Sequence, residues 1–190
     1  MHFRHDLVPD DRDRVRAIVE STGFFSEEEA DVAVELVDER LAKGAASGYE
    51  FVLAEVDGET VGYACFGRVP LTQSSFDLYW LAVRPGKQRG GLGRALVGEV
   101  ERTVASLGGG RIYADTSGRR QYAPTRTFYT AMGYAQAARL PDFFAPGDDK
   151  VVFAKEVTVQ QSLGQMAPGV CCPGAPADSY VQDDRIRFFK

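Results

Sequence analysis

Between Ser74 and Leu107 the chain runs from an apolar stretch, "SSFDLYWLAV", through "GKQRGGLGRAL" (Gly86 to Leu96), into apolar residues at helical spacing: Leu92, Leu96, Val97, Val100, Val104 and Leu107. A covered central strand is thus joined to an amphipathic helix by a loop holding three basic side chains and three clustered glycines, Gly90, Gly91 and Gly93. A helix N-terminus exposes unpaired backbone N–H groups and a partial positive charge, so it favours anions. Glycines let that backbone come close to a bulky phosphate, because no Cβ intervenes. One exposed helix end contributes only about 0.3–1 kcal/mol, so holding a diphosphate takes several N–H donors and extra cations. Gln88, Arg89, Leu92 and Arg94, with the glycines, offer that set.

A Walker loop, G-x-x-x-x-G-K-[ST], is not present. A dinucleotide fingerprint fits poorly: Gly91 and Gly93 give two of its glycines and Asp115 stands about twenty residues on, but Leu96 fills the third glycine position. The loop from Val83 to Gly91 is also too long for that tight turn. A net charge of −5 argues against a general nucleic-acid binder and leaves room for a cationic substrate. The N-terminal "MHFRHDLVPDDRDRVR" has no apolar leader region, and no window reaches membrane-spanning length. Cys65, Cys171 and Cys172 make neither a disulfide framework nor a metal set. A cytoplasmic protein without a metal, a membrane or a nucleic-acid partner is expected.

The remaining elements follow from local signals. "HFRHDL" predicts a first strand, and Val15, Ile18 and Val19 a helix broken by "STGFF" (Ser21 to Phe25). Ser26 with Glu29 three residues later predicts a capping box opening a second helix that ends by Gly44. "DG" at Asp57–Gly58, between two β-prone runs, predicts a hairpin. "RIYAD" reads as a strand, "YAPTRTFYTAM" as a short helix, and "YAQAARL" and "KVVFAKEV" as strands around a loop "PDFFAPGDD". From Thr158 the Pro-, Gly- and Ser-rich sequence predicts a tail, residues 158–190, appended to a domain of residues 1–157.

The pattern Gln88-x-x-Gly91-x-Gly93 after "LAV", with "FYTAMGY" (Phe128 to Tyr134) some thirty-five residues on, resembles the GNAT N-acetyltransferases; the likeness covers His2 to Val157. The resemblance implies an α/β fold whose mixed central sheet splays open between its fourth and fifth strands, flanked by about four helices. It implies acetyl-CoA in the gap, its pantetheine arm along Leu81, Ala82 and Val83. The pyrophosphate would lie on the N–H groups from Gln88 through Arg89, Gly90, Gly91, Leu92 and Gly93 to Arg94. Many members carry an asparagine where this chain has Tyr122, and Thr116 or Ser117 is the expected substitute.

By the same resemblance Tyr129 stands where a tyrosine hydroxyl reaches the CoA sulfur. A phenol of pKa about 10 gives its proton to a thiolate of about 8.5 only uphill, so a stabilising hydrogen bond is as plausible as full transfer. Asp77 interrupts an apolar strand, and alternation places it on one face with Tyr79, Leu81 and Val83. It matches a glutamate general base of the family's histone acetyltransferases; binding the substrate ammonium or bonding a neighbouring strand are the alternatives. A lysine-like amine of pKa about 10.4 is deprotonated at a cost of roughly 4.6 kcal/mol at pH 7, an α-amino group for only about 1 kcal/mol.

The acceptor pocket of such a fold would be walled by "STGFF" and "RLPDFFAPGDD", making Phe24, Phe25, Tyr79, Arg139, Asp142 and Phe143 substrate candidates; Asp148 and Asp149 add acid. An acceptor with an apolar or aromatic part and an amine drawn to those acids is expected, as a small molecule or an exposed protein amine. The competing reading is an acyl-CoA-binding sensor without turnover. The tail could cover the pocket, mediate a homodimer, or do neither.

Overall fold

The computed structural model of the protein describes residues 1–87 and 90–159. Strand β1 (His2–Arg4) leads into helices α1 (Asp11–Thr22) and α2 (Glu27–Lys43). The predicted capping box is formed: Ser26 Oγ accepts from the Glu29 N–H at 3.2 Å, and the Glu29 carboxylate accepts from the Ser26 N–H at 2.8 Å. Strands β2 (Tyr49–Val56) and β3 (Glu59–Arg68) pair through Val56 and Glu59. Their turn has φ of +54° at Asp57 and +80° at Gly58, the left-handed pair that matches strand twist in a two-residue hairpin. β4 (Ser75–Val83), α3 (Leu92–Ser106), β5 (Gly110–Ser117), α4 (Ala123–Ala131), β6 (Ala135–Ala145) and β7 (Asp148–Val157) complete the chain, with short 3-10 turns at Gly44–Ser47 and Arg120–Tyr122.

The sheet order is β1-β2-β3-β4-β5-β7-β6, antiparallel except for the parallel β4–β5 pair that α3 bridges. α3 and α4 cover one face, where Leu96, Val97, Val100 and Val104 meet Phe66, Phe76, Ile112 and Val151. α1 and α2 cover the other face at the β1–β4 end, where Ile18, Val19 and Val37 meet Phe51, Leu53, Tyr63 and Trp80. The β3 residues Thr60–Gly67 are buried on both faces, which is why that strand reads as almost continuously apolar. Asp11, fully buried, ties β1 to α1: it accepts from Arg4 at 2.7 and 2.8 Å, from Arg14 at 2.8 Å and from the Val8 N–H at 2.8 Å. Burial alone would raise its carboxyl; these donors carry it below the usual carboxylate range.

Two expectations change. "PDFFAPGDD" is not a loop: β6 runs to Ala145 and β7 starts at Asp148, leaving Pro146–Gly147 as the turn. β6 carries a bulge between Leu140, opposite Lys150, and Ala145, opposite Asp148. Acids within the segment hold it: Asp142 Oδ1 accepts the Gly147 N–H at 2.6 Å and Asp149 Oδ1 the Asp142 N–H at 3.0 Å. The side chains supply acceptors that the interrupted ladder lacks.

The alternation along β4 also breaks. β3 pairs Phe66 with Leu78 but Cys65 with Trp80, so Tyr79 is an extra residue. A one-residue bulge exchanges the faces beyond it. Asp77 and Tyr79 lie on the α1–α2 side, joined by Trp80 and Ala82, while Leu81 and Val83 turn to the α3 side with Phe76 and Leu78. Asp77 does not share a face with Leu81 and Val83. The tail from residue 160 lies outside the described residues, as do Gln88 and Arg89.

Candidate active site in the cleft between β4 and β5

β4 and β5 are bonded only from Ser75–Arg111 to Leu78–Ala114. Beyond that point β4 and β5 are no longer paired, and Asp115, Thr116 and Ser117 pair with β7. The bulge at Tyr79 coincides with the parting. The β4 backbone at Tyr79, Leu81 and Ala82 therefore borders the gap on the side that β5 has left.

A cavity of about 160 Å³ fills this gap. Leu78 to Val83 form one wall, Asp115 and Thr116 the facing one. Thr22, Phe24 and Phe25 close it from the α1–α2 connection, and Tyr122, Thr125 and Tyr129 from α4 and its preceding turn. Tyr122 Oη donates to the Phe24 carbonyl at 3.2 Å, and their rings lie 5.6 Å apart, so the two closing segments touch.

Polar side chains line the cavity beside apolar ones, among them Thr22, Asp115, Thr116, Thr125 and Tyr129. Thr116 Oγ1 is fully buried and has no hydrogen-bond partner among the described residues, a costly state unless a ligand completes it. Tyr129 is 5% exposed, stacked on Phe153 at 5.6 Å and flanked by Tyr134 and Phe128. Burial, and then the charge of Asp115, push its phenol well above its ordinary value, so it stays a neutral donor. Asp115 pairs with the buried Lys150 ammonium at 2.5 Å, which in turn lies 4.9 Å from the Phe143 ring centre.

Asp77 sits beside this group without lining the cavity. Burial pushes its carboxyl up to about 6, Asp115 adds to the shift and Lys150 opposes it. A carboxylate so placed is ionised at neutral pH yet basic enough to accept a proton.

At the other end of the gap, α3 opens at Gly91, whose φ of +79° favours glycine. No side chain caps this end and no acid stands in the first turn, so helix geometry leaves the N–H groups of Leu92, Gly93 and Arg94 without intrahelical acceptors. Arg94 is exposed nearby. A Cβ on Gly93 would meet the Phe128 ring at 3.6 Å, an ordinary contact, so packing does not demand that glycine.

Of the residues singled out from the sequence, Leu81, Ala82, Val83, Thr116 and Tyr129 converge on the cavity, with Phe24, Phe25 and Tyr79. Arg139, Asp142 and Phe143 do not line it. Arg139 is held by Asp149 at 2.6 Å, Asp142 accepts from Gly147, and Phe143 packs edge-on against Phe144. Trp80, Asp115 and Tyr122 line the cavity without having been singled out for it: Trp80 reads as core, Tyr122 only as a departure from asparagine, and Asp115 as a strand end. A lone acid closing an apolar strand, as Asp77 interrupts another, was the available signal. Among the described residues no cluster of His, Cys, Asp or Glu could hold a metal ion, and no helix is long and apolar enough to cross a membrane.

No curated protein sequence matches the chain. The model of the acetyltransferase (GNAT) family matches residues 13–134. A GNAT-family acetyltransferase structure from Desulfovibrio desulfuricans is 52% identical, over 83% of this chain and 99% of that one, with a TM-score of 0.81. An aminoglycoside 6'-N-acetyltransferase complexed with coenzyme A is 22% identical, over 83% and 97% of the two chains, with a TM-score of 0.67. The ribosomal-protein-S18-alanine N-acetyltransferase of Escherichia coli is 18% identical, over 87% and 100%, with a TM-score of 0.66. The last two share the fold. With its family model and its near relative agreeing on the same domain, this chain belongs to the GNAT acetyltransferase family.

Proposed function

We propose that the protein moves an acetyl group from acetyl-CoA directly to a primary amine held in the same cleft. The observation that carries this reading is the parting of β4 from β5 beyond Leu78, with a cavity in the gap that Leu81, Ala82, Thr116 and Tyr129 help to line. Three features fit an acyl-CoA. The β4 backbone at Leu81 and Ala82, parted from β5, can take the amides of a pantetheine arm as if it were a further strand. Thr116 Oγ1 lacks a partner that such an amide would supply. The uncapped N-terminus of α3, with Arg94 beside it, suits the diphosphate. When bound, acetyl-CoA supplies the thioester whose carbonyl carbon the amine attacks.

The residues divide the remaining work. Asp77 takes the proton that the ammonium must lose, directly or through water, and its raised pKa suits that role near neutral pH. The amine nitrogen then bonds to the acyl carbon as the carbon–sulfur bond breaks, and the second proton that the nitrogen sheds passes through water to the departing thiolate, which leaves as free CoA thiol. Tyr129 stabilises the leaving thiolate by donating a hydrogen bond. Its raised pKa makes outright proton transfer to a thiolate strongly uphill, so hydrogen bonding is the favoured role. Phe24, Phe25 and Tyr79 wall the acceptor. The reading places the reaction in the cytoplasm and needs no metal.

Release of free CoA, followed with a thiol reagent against a panel of primary amines, tests the proposal. Amine-dependent release that drops at least tenfold in kcat in Tyr129→Phe, with similar KM for acetyl-CoA, is expected. Saturable acetyl-CoA binding without release to any amine would instead favour a sensor.

A further inference from the structure

Lys150 is 6% exposed and sits on β7, between β5 and β6. Lysine is rarely this buried unless it is paired, and here the partner lines the cleft. Its Nζ reaches Asp115 Oδ2 at 2.5 Å, diagonally across a ladder that sets Lys150 opposite Ser117 and Val152 opposite Asp115. The β6 bulge between Leu140 and Ala145 lays the Phe143 ring 4.9 Å from the same ammonium. Apolar residues in place of such a pair often leave stability unchanged or improved, so stability alone does not account for keeping it.

What the pair faces is Asp77. Asp77 lies opposite Tyr113, and Asp115 stands two residues further along β5, on the same face. Lys150 and Val152 present that face from β7, because Val151 and Phe153 are buried on the α3 side. The other ionisable groups around Asp77 are phenols: Tyr113 opposite it, and Tyr79, which is edge-on to Tyr49. β3 sets Gly67 against Asp77, and the α1–α2 connection brings Thr22, Phe24 and Phe25 to the cavity, none of them charged. Further along, Asp148 accepts from Ser117 Oγ and pairs with Arg119 at 3.0 Å. Asp115 and Lys150 are the charges that act on Asp77: burial raises its carboxyl most, Asp115 adds and Lys150 opposes. Two carboxylates in one site resist ionising together, and a cation beside them relieves the conflict.

We infer that Lys150 is a positioning residue for the transfer: by pinning the Asp115 carboxylate in the cleft wall and offsetting its charge, it keeps Asp77 able to take the acceptor's proton. The inference rests on the reading of Asp77 as the base. The β6 bulge serves the same end, setting the Phe143 ring against the ammonium that Asp115 holds.

Carbon-13 NMR titration of the aspartate carboxyls in the full chain reads Asp77 without turnover, its signal assigned by its loss in Asp77→Asn. Lys150→Met should raise the Asp77 midpoint by about one pH unit or more, and Asp115→Asn should lower it. Lys150→Arg, which keeps the cation, should leave the midpoint near the parent's. Because Lys150→Met strands Asp115, Asp115→Asn/Lys150→Met gives the same reading without a lone buried ion: its midpoint should exceed that of Asp115→Asn. The acidic limb of kcat/KM for amine-dependent CoA release should move with the midpoint in each variant.

A pair that only braces the β5–β7 ladder would lower kcat at every pH and leave midpoint and limb in place, which would overturn the inference. So would shifts of one sign in Lys150→Met and Asp115→Asn, or a Lys150→Arg shift as large as that of Lys150→Met. Midpoints that move as expected while Asp77→Asn keeps the limb would leave the pair's hold on Asp77 standing and remove Asp77 as the base. An Asp77-dependent limb with unmoved midpoints would do the reverse.

Discussion

The two halves of β4 share one strand and one partner, β3, yet they serve different ends. From Ser75 to Leu78 the strand is bonded on both edges, and Phe76 is buried against α3. From Tyr79 to Val83 it has given up its β5 neighbour and borders a cavity. The switch needs only one extra residue, Tyr79, opposite the Cys65–Phe66 step. A paired edge is satisfied by the chain itself; an open edge at the centre of a sheet leaves polar backbone to be completed by something else. Stability should therefore concentrate below the bulge and function above it.

Substitutions on either side break or sharpen this contrast. The largest effect is expected in the bonded half: Phe76→Ala should cost about 3–5 kcal/mol in denaturant unfolding, with acetyl-CoA KM little changed in whatever remains folded. Across the bulge, Tyr129→Phe should lower kcat about 10- to 100-fold, equal to roughly 1.4–2.7 kcal/mol of barrier, with unfolding free energy within about 0.5 kcal/mol of the parent. A comparable loss of stability in both variants would erase the contrast.

Asp77 lies just below the bulge and tests where the boundary falls. Its folded pKa of about 6 exceeds the ordinary carboxylate value near 4, so ionising it costs stability. That cost is absent below about pH 4, grows between 4 and 6, and is complete above 6. Asp77→Asn should therefore stabilise the protein by about 1–2 kcal/mol at pH 8, allowing for partial solvent access, and hardly at pH 3.5. The same variant should remove the rise of kcat/KM near pH 6 that a deprotonated base gives. A stability gain without the kinetic change would make Asp77 a structural or substrate-binding group. The smallest effect is expected at Thr116→Val, which removes an unpartnered hydroxyl: stability should rise by up to about 1 kcal/mol and acetyl-CoA KM should increase a few-fold. Unchanged KM would detach Thr116 from the coenzyme.

The features legible in the sequence were those decided locally. Ser26 and Glu29 form their box, and Asp57–Gly58 their turn, because each needs only neighbouring residues. The helix opening after Gly91 was legible for the same reason. Tyr79 could not be read as a bulge, because its extra position depends on how Cys65 and Phe66, over ten residues earlier, pair across the sheet. Simple alternation consequently grouped Asp77 with Leu81 and Val83 and kept Trp80 out of the cleft. The acceptor side was least legible: Arg139, Asp142 and Asp149 looked available as types, but the β6–β7 hairpin uses them on one another.

Backbone hydrogen exchange at Tyr79–Val83, measured with and without acetyl-CoA, tests the open edge most directly. Added strand-like bonds should slow exchange at one or more amides in this segment by at least tenfold, while amides from Phe76 to Leu78, already inside the ladder, stay as they were. Acetyl-CoA that binds and protects other segments while Tyr79–Val83 exchange unchanged would contradict the account.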